Sequence, residues 1–267
     1  MSLESLDISF RYGPRFGVTG ISVGVGAGEW LGIIGANGSG KTTLLRLLCG
    51  LLAPSSGSIL LDGEPLDSYS PEQRARHLAF VPQSFQPAFE FTVEQAVLFG
   101  RIPHGRSYGA FESADDIAAA DEAIALLEID ALRREPVTRL SGGELQRVMI
   151  ARAIAQSDRN IVLDEPTSHL DIAHQQSVLE HLRTRSRSRG TSLVATIHDL
   201  NLAAIYCDRI AALVGGRLVA VGTPAEVLTE SRLEEIYGVG LDVEQNVYGS
   251  APAVRYRHAR KEASDAR

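Results

Sequence analysis

Hydrophobic and polar positions alternate over residues 3–12 (LESLDISFRY), the period of a half-buried strand. Residues 21–26 alternate in the same way. The unbroken apolar run Trp30–Ile34 predicts a strand covered on both faces, and it ends at a glycine-rich turn. Thr42–Leu52 is apolar on most sides and reads as a buried helix. Short strands are expected at Gly57–Asp62, bounded by Gly63, and at Leu78–Val81, stopped by Pro82. Between about 84 and 156 the texture becomes helical, with segments at Thr92–Gly100, Asp115–Leu127 and Glu144–Ala155. Strand character returns at Ile161–Leu163, Leu193–Ile197, Ile210–Val214 and Arg217–Val221, with helical segments at about 172–187 and 199–206. Gly215-Gly216 between two apolar runs predicts a tight hairpin. Alternating strands and helices imply a largely parallel, covered sheet, and the two early alternating strands imply an added antiparallel layer. From Gly240 the pattern weakens, and the terminal KEASDAR is expected to fray.

Composition narrows the class. The chain has 267 residues, 44% apolar and 22% charged, the balance of a folded globular protein and not of a disordered chain or a coiled-coil rod. Its net charge of −7 gives no general attraction to nucleic acid or anionic lipid. The Arg-rich stretch Arg183–Arg189 (RTRSRSR) offers two readings, a nucleic-acid patch or, in preference, a solvated helix end, where cations suit the helix dipole. Cys49 and Cys207 read as two reduced thiols. No run of 18 apolar residues occurs, and the acidic, alternating start MSLESLDISF is not that of a signal peptide.

Three strings carry chemistry. Gly35-Ala-Asn-Gly-Ser-Gly-Lys-Thr42 fits the phosphate-loop pattern G-x-x-x-x-G-K-[ST], after a buried strand and opening a helix. Gly35, Gly38 and Gly40 let the backbone bend into a nest of N–H groups around phosphate oxygens, and the helix N-terminus adds partial positive charge. Lys41 is expected to reach the β- and γ-phosphates and Thr42 to ligate Mg²⁺. Ile161-Val-Leu-Asp164-Glu165 is a buried strand ending in two carboxylates on the ligand side of such a sheet. There Asp164 can hold Mg²⁺ opposite Thr42, and Glu165 can polarise the water that attacks the γ-phosphate. Leu140-Ser-Gly-Gly-Glu144 starts a helix; it reads either as a second anion-binding nest or as a capping box of Ser141 with Glu144.

Together these strings resemble the ATP-binding-cassette (ABC) ATPase family. GANGSGKT at 35–42, Gln83, LSGGE at 140–144, IVLDE at 161–165, Ser168-His-Leu-Asp171 and His198 stand in the family's order, and the resemblance covers roughly residues 3–237. It implies an α/β, P-loop NTPase (RecA-like) core with an antiparallel β layer. That core would take in 1–83 and 157–239, a helical subdomain 84–156, and a C-terminal extension 240–267. Nucleotide contact would extend over Gly35, Ala36, Asn37, Gly38, Ser39, Gly40, Lys41, Thr42 and Thr43, with Tyr12 stacked on adenine. Gln83 would touch Mg²⁺ and the attacking water and head the segment that faces a membrane partner. His198 would contact the γ-phosphate. Asp171 would cross a dimer interface, while Ser141, Gly142, Gly143 and Glu144 of one copy close over ATP held by another. Departures are few: Ala36 stands where proline is common, Thr42 where serine is common, and His169 where alanine is more frequent. None removes a chemical group, so active hydrolysis is expected.

His198–Ala204, Cys207-Asp-Arg-Ile210, Gly222–Leu228 and Thr92–Arg101 resemble the branch that energises uptake of iron–siderophore, haem or cobalamin. That branch implies ATP and Mg²⁺ as cofactors and a peripheral place on the cytoplasmic membrane face. Its partners would be a second copy, two transmembrane permease subunits and, indirectly, a substrate-binding protein, with no nucleic acid. The alternatives are a cassette of another importer or exporter class, or a soluble non-transport cassette ATPase. The last usually carries long coiled coils or a second cassette, and this chain has neither. A P-loop kinase or GTPase leaves LSGGE unexplained.

Overall fold

The computed structural model describes residues 2–14, 17–105, 113–245 and 251–257. The strands are β1 (Leu3–Arg11), β2 (Gly17–Val25), β3 (Trp30–Ile34), β4 (Ser56–Leu61), β5 (Glu64–Pro65), β6 (Leu78–Val81), β7 (Asn160–Asp164), β8 (Ser192–Thr196), β9 (Arg209–Val214), β10 (Arg217–Gly222), β11 (Leu241–Gln245) and β12 (Pro252–Tyr256). The helices are α1 (Lys41–Leu48), α2 (Pro71–His77), α3 (Val93–Leu98), α4 (Ala114–Leu126), α5 (Gly142–Gln156), α6 (Ile172–Arg189), α7 (Leu200–Tyr206), α8 (Pro224–Val227) and α9 (Glu230–Tyr237).

The central sheet has the order β10-β9-β3-β8-β7-β6. Its strands run parallel except β10, which returns antiparallel on β9 through Gly215 and Gly216. Both glycines have left-handed φ (52° and 79°), as a two-residue hairpin turn demands. A second, antiparallel sheet has the order β2-β1-β4-β5.

The unbroken apolar runs of the central strands serve two cores. Leu31, Ile33, Val162, Val194, Ala211 and Leu213 face one side; there Leu44, Leu45, Leu47 and Leu48 of α1 fill the space beneath Leu3, Ile8, Ile21 and Ile59 of the antiparallel layer. Trp30, Ile34, Ile161, Leu163, Leu193, Ala195, Ile210 and Ala212 face the other side and meet the helices from α3 onward. Each fully buried leucine of α1 contributes about 1.5–3 kcal/mol relative to exposure. This short helix, the one that opens on the phosphate loop, is therefore fixed from both sides.

Between β6 and β7 the described chain contains no strand; α3, α4 and α5 pack on one another there, with 3₁₀ turns between. The expected helices appear with small shifts at their ends. The structure adds elements that the hydrophobic pattern does not announce. One is α2, which has no buried residue and is held by a Ser70–Gln73 capping box. Another is the β11–β12 hairpin in the weakly patterned tail. There Leu241, Val243 and Val254 pack onto the helical side of the core, and Asn201 of α7 brackets Val254 by donating to its carbonyl (3.2 Å) and accepting from its N–H (2.8 Å). KEASDAR, expected to fray, lies outside the described residues. The Arg183–Arg189 run is only in part the solvated helix end that its charge suggests, for Arg187 and Arg189 are exposed in the last turn of α6. Arg185 is buried, and the run is paired with Asp208, Glu122 and Asp158.

Candidate functional site

β3 delivers the chain into the loop 35–40 and α1 takes it out. Gly35, Gly38 and Gly40 have φ of 149°, 78° and 104°, values that side chains disfavour. Space matters as well: a Cβ on Gly35 would lie 2.4 Å from the Leu213 carbonyl oxygen, and one on Gly40 would lie 2.8 Å from Val18 Cγ1. The loop is packed between the β9–β10 turn and the β1–β2 hairpin. Gly216 donates to the Ser39 carbonyl (3.0 Å), and Thr19 donates to the Gly216 carbonyl (2.8 Å). No side chain caps α1, so its first N–H groups and the positive end of its dipole remain available to an anion.

Lys41 Nζ spans this loop, donating to the carbonyls of Gly35 (2.8 Å) and Ala36 (3.1 Å). Burial lowers its pKa, while the negative charges of Glu165 and Asp164 act in the opposite direction. The ammonium is thus held by the phosphate loop and lies within the electrostatic reach of the two carboxylates. Ser39 is buried, and its Oγ has no hydrogen-bond partner. Thr43 is buried in α1 while Thr42 is half-exposed.

At the carboxyl end of β7, Asp164 is 2% exposed. Its Oδ1 accepts from Thr196 Oγ1 of β8 (2.8 Å), and among the described residues it forms no ion pair. A carboxylate this deeply buried is ordinarily paired or metal-bound, so the donor set fits a cation. Glu165 adopts φ 52°, a left-handed conformation rare outside glycine. Its peptide is held on both sides: its N–H donates to Thr196 Oγ1 (2.7 Å), and its carbonyl accepts from Ser168 N (3.0 Å) and Oγ (2.9 Å). The carboxylate then lies between two side chains. Gln83 Nε2, just past β6, donates to Oε2 (2.8 Å), and His198 Nε2, just past β8, lies 2.6 Å from Oε1. Three neighbouring parallel strands thus end in one cluster of Gln83, Asp164, Glu165 and His198.

Ser141 and Glu144 form the expected capping box at the start of α5. Ser141 Oγ accepts from Glu144 N (3.3 Å), and Glu144 Oε2 accepts from Ser141 N (2.8 Å). The Ser141 hydroxyl holds the Glu144 carboxyl below its ordinary pKa. Asp171 caps α6, accepting from His174 N (2.9 Å), and that backbone bond lowers its pKa. The two helix starts meet across His169, whose Cβ would be 3.3 Å from a Cβ on Gly142 and whose carbonyl oxygen would be 3.0 Å from one on Gly143. Among the described residues, no hydrogen bond or ion pair links Ser141–Glu144 to the phosphate loop of the same chain. Tyr12 is exposed, edge-on to Phe10 (centroids 4.8 Å apart), at the end of the hairpin that flanks Gly40.

The sequence does not single out Thr196 or Tyr237, and it marks Ser168 only as part of the 168–171 motif, without a role. Thr196 orients both carboxylate positions. Ser168 fixes the Glu165 peptide. Tyr237 of α9 has its pKa pushed up to about 12 by burial, with the Gly35 backbone acting against that shift.

Comparison with known proteins identifies the family. Residues 18–168 match the ABC transporter family. The hemin import ATP-binding protein HmuV of Pseudomonas aeruginosa is 40% identical over 93% of this chain and 97% of its own length. The cobalamin import ATP-binding protein BtuD of Halobacterium salinarum is 41% identical over 79% of this chain and 52% of its own. The chain spans about half the length of that and some other curated relatives it matches. A solved inward-facing conformation of a metal-chelate type ABC transporter superposes with a TM-score of 0.81 at 30% identity, covering 95% of this chain and 96% of the other. The matched span takes in the loop of residues 35–42, the helix cap at 141–144 and the Asp164–Glu165 strand end, and the chain belongs to the ABC transporter family as an ATP-binding cassette.

Proposed function

We propose that this chain is the ATP-hydrolysing motor of a membrane importer for metal chelates such as haem, cobalamin or iron–siderophore. The observation that carries the hydrolytic part is the Glu165 carboxylate, held by Gln83 and His198 beside buried Asp164. The import of chelates rests on the relatives named above, among which the hemin protein shares almost the full length of the chain.

In this reading the N–H groups of residues 35–43 (Gly35, Ala36, Asn37, Gly38, Ser39, Gly40, Lys41, Thr42 and Thr43) cradle the phosphates, and Tyr12 stacks on adenine. Thr42, Gln83 and Asp164 would hold Mg²⁺, which supplies charge neutralisation at the β- and γ-phosphates. Glu165 accepts a proton from water as its oxygen bonds to the γ-phosphorus. The bond from that phosphorus to the β–γ bridging oxygen breaks, and ADP leaves with the electron pair. Lys41 stabilises the oxygens on which negative charge builds. His198, already within hydrogen-bond reach of Glu165, orients the carboxylate and senses the γ-phosphate.

Ser141–Glu144 do not reach their own phosphate loop, so the site is completed by a second copy. Ser141, Gly142 and Gly143 then close over the partner's ATP, and Asp171 crosses the interface. Closing and opening of the pair would drive two transmembrane permease subunits at the cytoplasmic membrane face. No helix among the described residues is long and apolar enough to cross a membrane itself.

The test is reconstitution of the chain with its co-purified permease in liposomes. Addition of a binding protein loaded with haem, cobalamin or a ferric siderophore should raise ATP hydrolysis several-fold for one of the three. Stimulation by none, with a permease that does co-purify, contradicts chelate import while leaving the hydrolytic assignment to its own tests.

A further inference from the structure

Arg185 is unusual for an arginine near a helix end: its side chain is only 5% exposed. Its guanidinium faces three acceptors from different parts of the chain. They are Glu122 Oε1 of α4 (3.3 Å), the Ile154 carbonyl in the last turn of α5 (3.5 Å), and the Asp158 carboxylate between α5 and β7. Arg189, one turn further along α6, reaches the same two carboxylates, at 3.6 Å from Asp158. Two guanidiniums thus close on two carboxylates. Arg183 and Arg187 are separately engaged by Asp208.

The cost of this cluster is visible. Arg185 Nε has no hydrogen-bond partner, and burial opposes the guanidinium's charge. Ion pairs to carboxylates that are 46% and 64% exposed add little net stability, and a buried guanidinium adds little over apolar packing, so the physical consequence of such a cluster is geometric. A planar, forked guanidinium fixes the relative orientation of the groups it bridges.

What it bridges is informative. α5 begins at the Ser141 cap and α6 at the Asp171 cap, and these two starts meet at His169. Arg185 joins the opposite ends of the same two helices, and Glu122 adds α4, which packs on α3 and α5. We propose that Arg185, Glu122 and Arg189 are positioning residues that set the angle at which the α3–α5 layer presents Ser141–Glu144, relative to the body that carries Asp171 and Glu165. The proposal rests on the reading that Ser141–Glu144 complete the site of a second copy.

The experiment uses the full chain carrying Glu122→Ala, Glu122→Gln, Glu122→Asp or Arg189→Gln; Glu122 and Arg189 are 46% and 44% exposed, so neither change leaves a cavity. It measures kcat and KM for ATP, affinity for a fluorescent ATP analogue at concentrations too low for pairing, and ATP-driven pairing in a Glu165→Gln background. Glu122→Ala and Glu122→Gln should lower kcat about tenfold, within the range expected when reacting groups are misplaced by less than an ångström. They should weaken pairing and leave single-chain nucleotide affinity within about twofold. Arg189→Gln should act in the same direction to a smaller extent. Glu122→Asp, which keeps the charge, should recover most of the loss. Unchanged kcat and pairing in both Glu122→Ala and Glu122→Gln would overturn the proposal, as would a fall in single-chain affinity that matches the fall in kcat. Ser141→Arg is the control. If it stops turnover while the Glu122 variants do not, the brace alone is wrong; if Ser141→Arg itself turns over normally, the reading beneath the proposal fails first.

Discussion

Glu165 shows how much a single position can demand of its surroundings. Its left-handed φ of 52° is a conformation that costs about 1 kcal/mol or more outside glycine. The surrounding structure holds it there with Thr196 and Ser168. Glu165→Gln should therefore keep the fold and bind ATP, while steady-state hydrolysis falls by about 100-fold or more, the contribution expected of a positioned base. Phosphate release assays check this, and near-normal turnover would remove Glu165 from the role. Lys41→Ala should weaken nucleotide binding in an equilibrium titration, because the loop loses the cation that spans it. At this scale the sequence was legible wherever a residue type is required by chemistry at fixed spacing, as in the 35–42 loop and Asp164-Glu165. Thr196 was not legible, and Ser168 was legible only as a motif residue, not as the partner of the Glu165 peptide. A threonine closing an apolar strand and a serine in a turn are ordinary locally, and only the pairing of β7 with β8 brings Thr196 to both carboxylate positions.

Among the elements, α5 is the one whose start has two jobs. Its Ser141–Glu144 box satisfies helix N–H groups and also exposes Ser141 and Gly142 on the surface. Ser141→Ala should cost about 1 kcal/mol of unfolding free energy in a denaturant titration, the usual worth of such a cap. The Glu144 carboxyl is held below its ordinary value of 4.5. A depressed carboxyl pKa gives stability that is complete above the ordinary value and is lost as pH falls through the lower, folded one. The stability difference between the native chain and Glu144→Ala should hence be full at neutral pH and shrink as the solution is acidified below about 4.5. A difference that grows on acidification contradicts the assignment.

The β11–β12 hairpin depends on different contacts, above all the Asn201–Val254 pair. Asn201→Ala should speed amide exchange in 241–245 and 252–256 while leaving the central strands protected. Periodicity revealed the strands and helices whose apolar faces are long enough to show it. It missed α2, which buries nothing, and this hairpin, whose apolar positions are few and are satisfied by contacts with α7 and α9 far away in the sequence.

In the whole molecule, the central sheet separates two cores, and every proposed catalytic group lies at the carboxyl ends of its strands or at the loop that follows β3. That architecture was readable from the alternation of buried strands and helices, because covered parallel sheets have few alternatives. The meaning of the arginine run was not readable. Charge alone suggests exposure, whereas Glu122, Asp158 and Asp208 converge on it only after folding. One consequence of the proposed function lies beyond a single chain: among the described residues no hydrogen bond or ion pair links the Ser141–Glu144 cap to the Lys41 loop, and in that reading a second copy completes each site. Sedimentation velocity of the Glu165→Gln chain with and without MgATP measures that requirement directly. The account predicts a shift from the 28.8 kDa chain to twice that mass when ATP is added, with two ATP bound per pair and the shift abolished by Ser141→Arg. A chain that binds ATP yet sediments at its single mass at every concentration contradicts it.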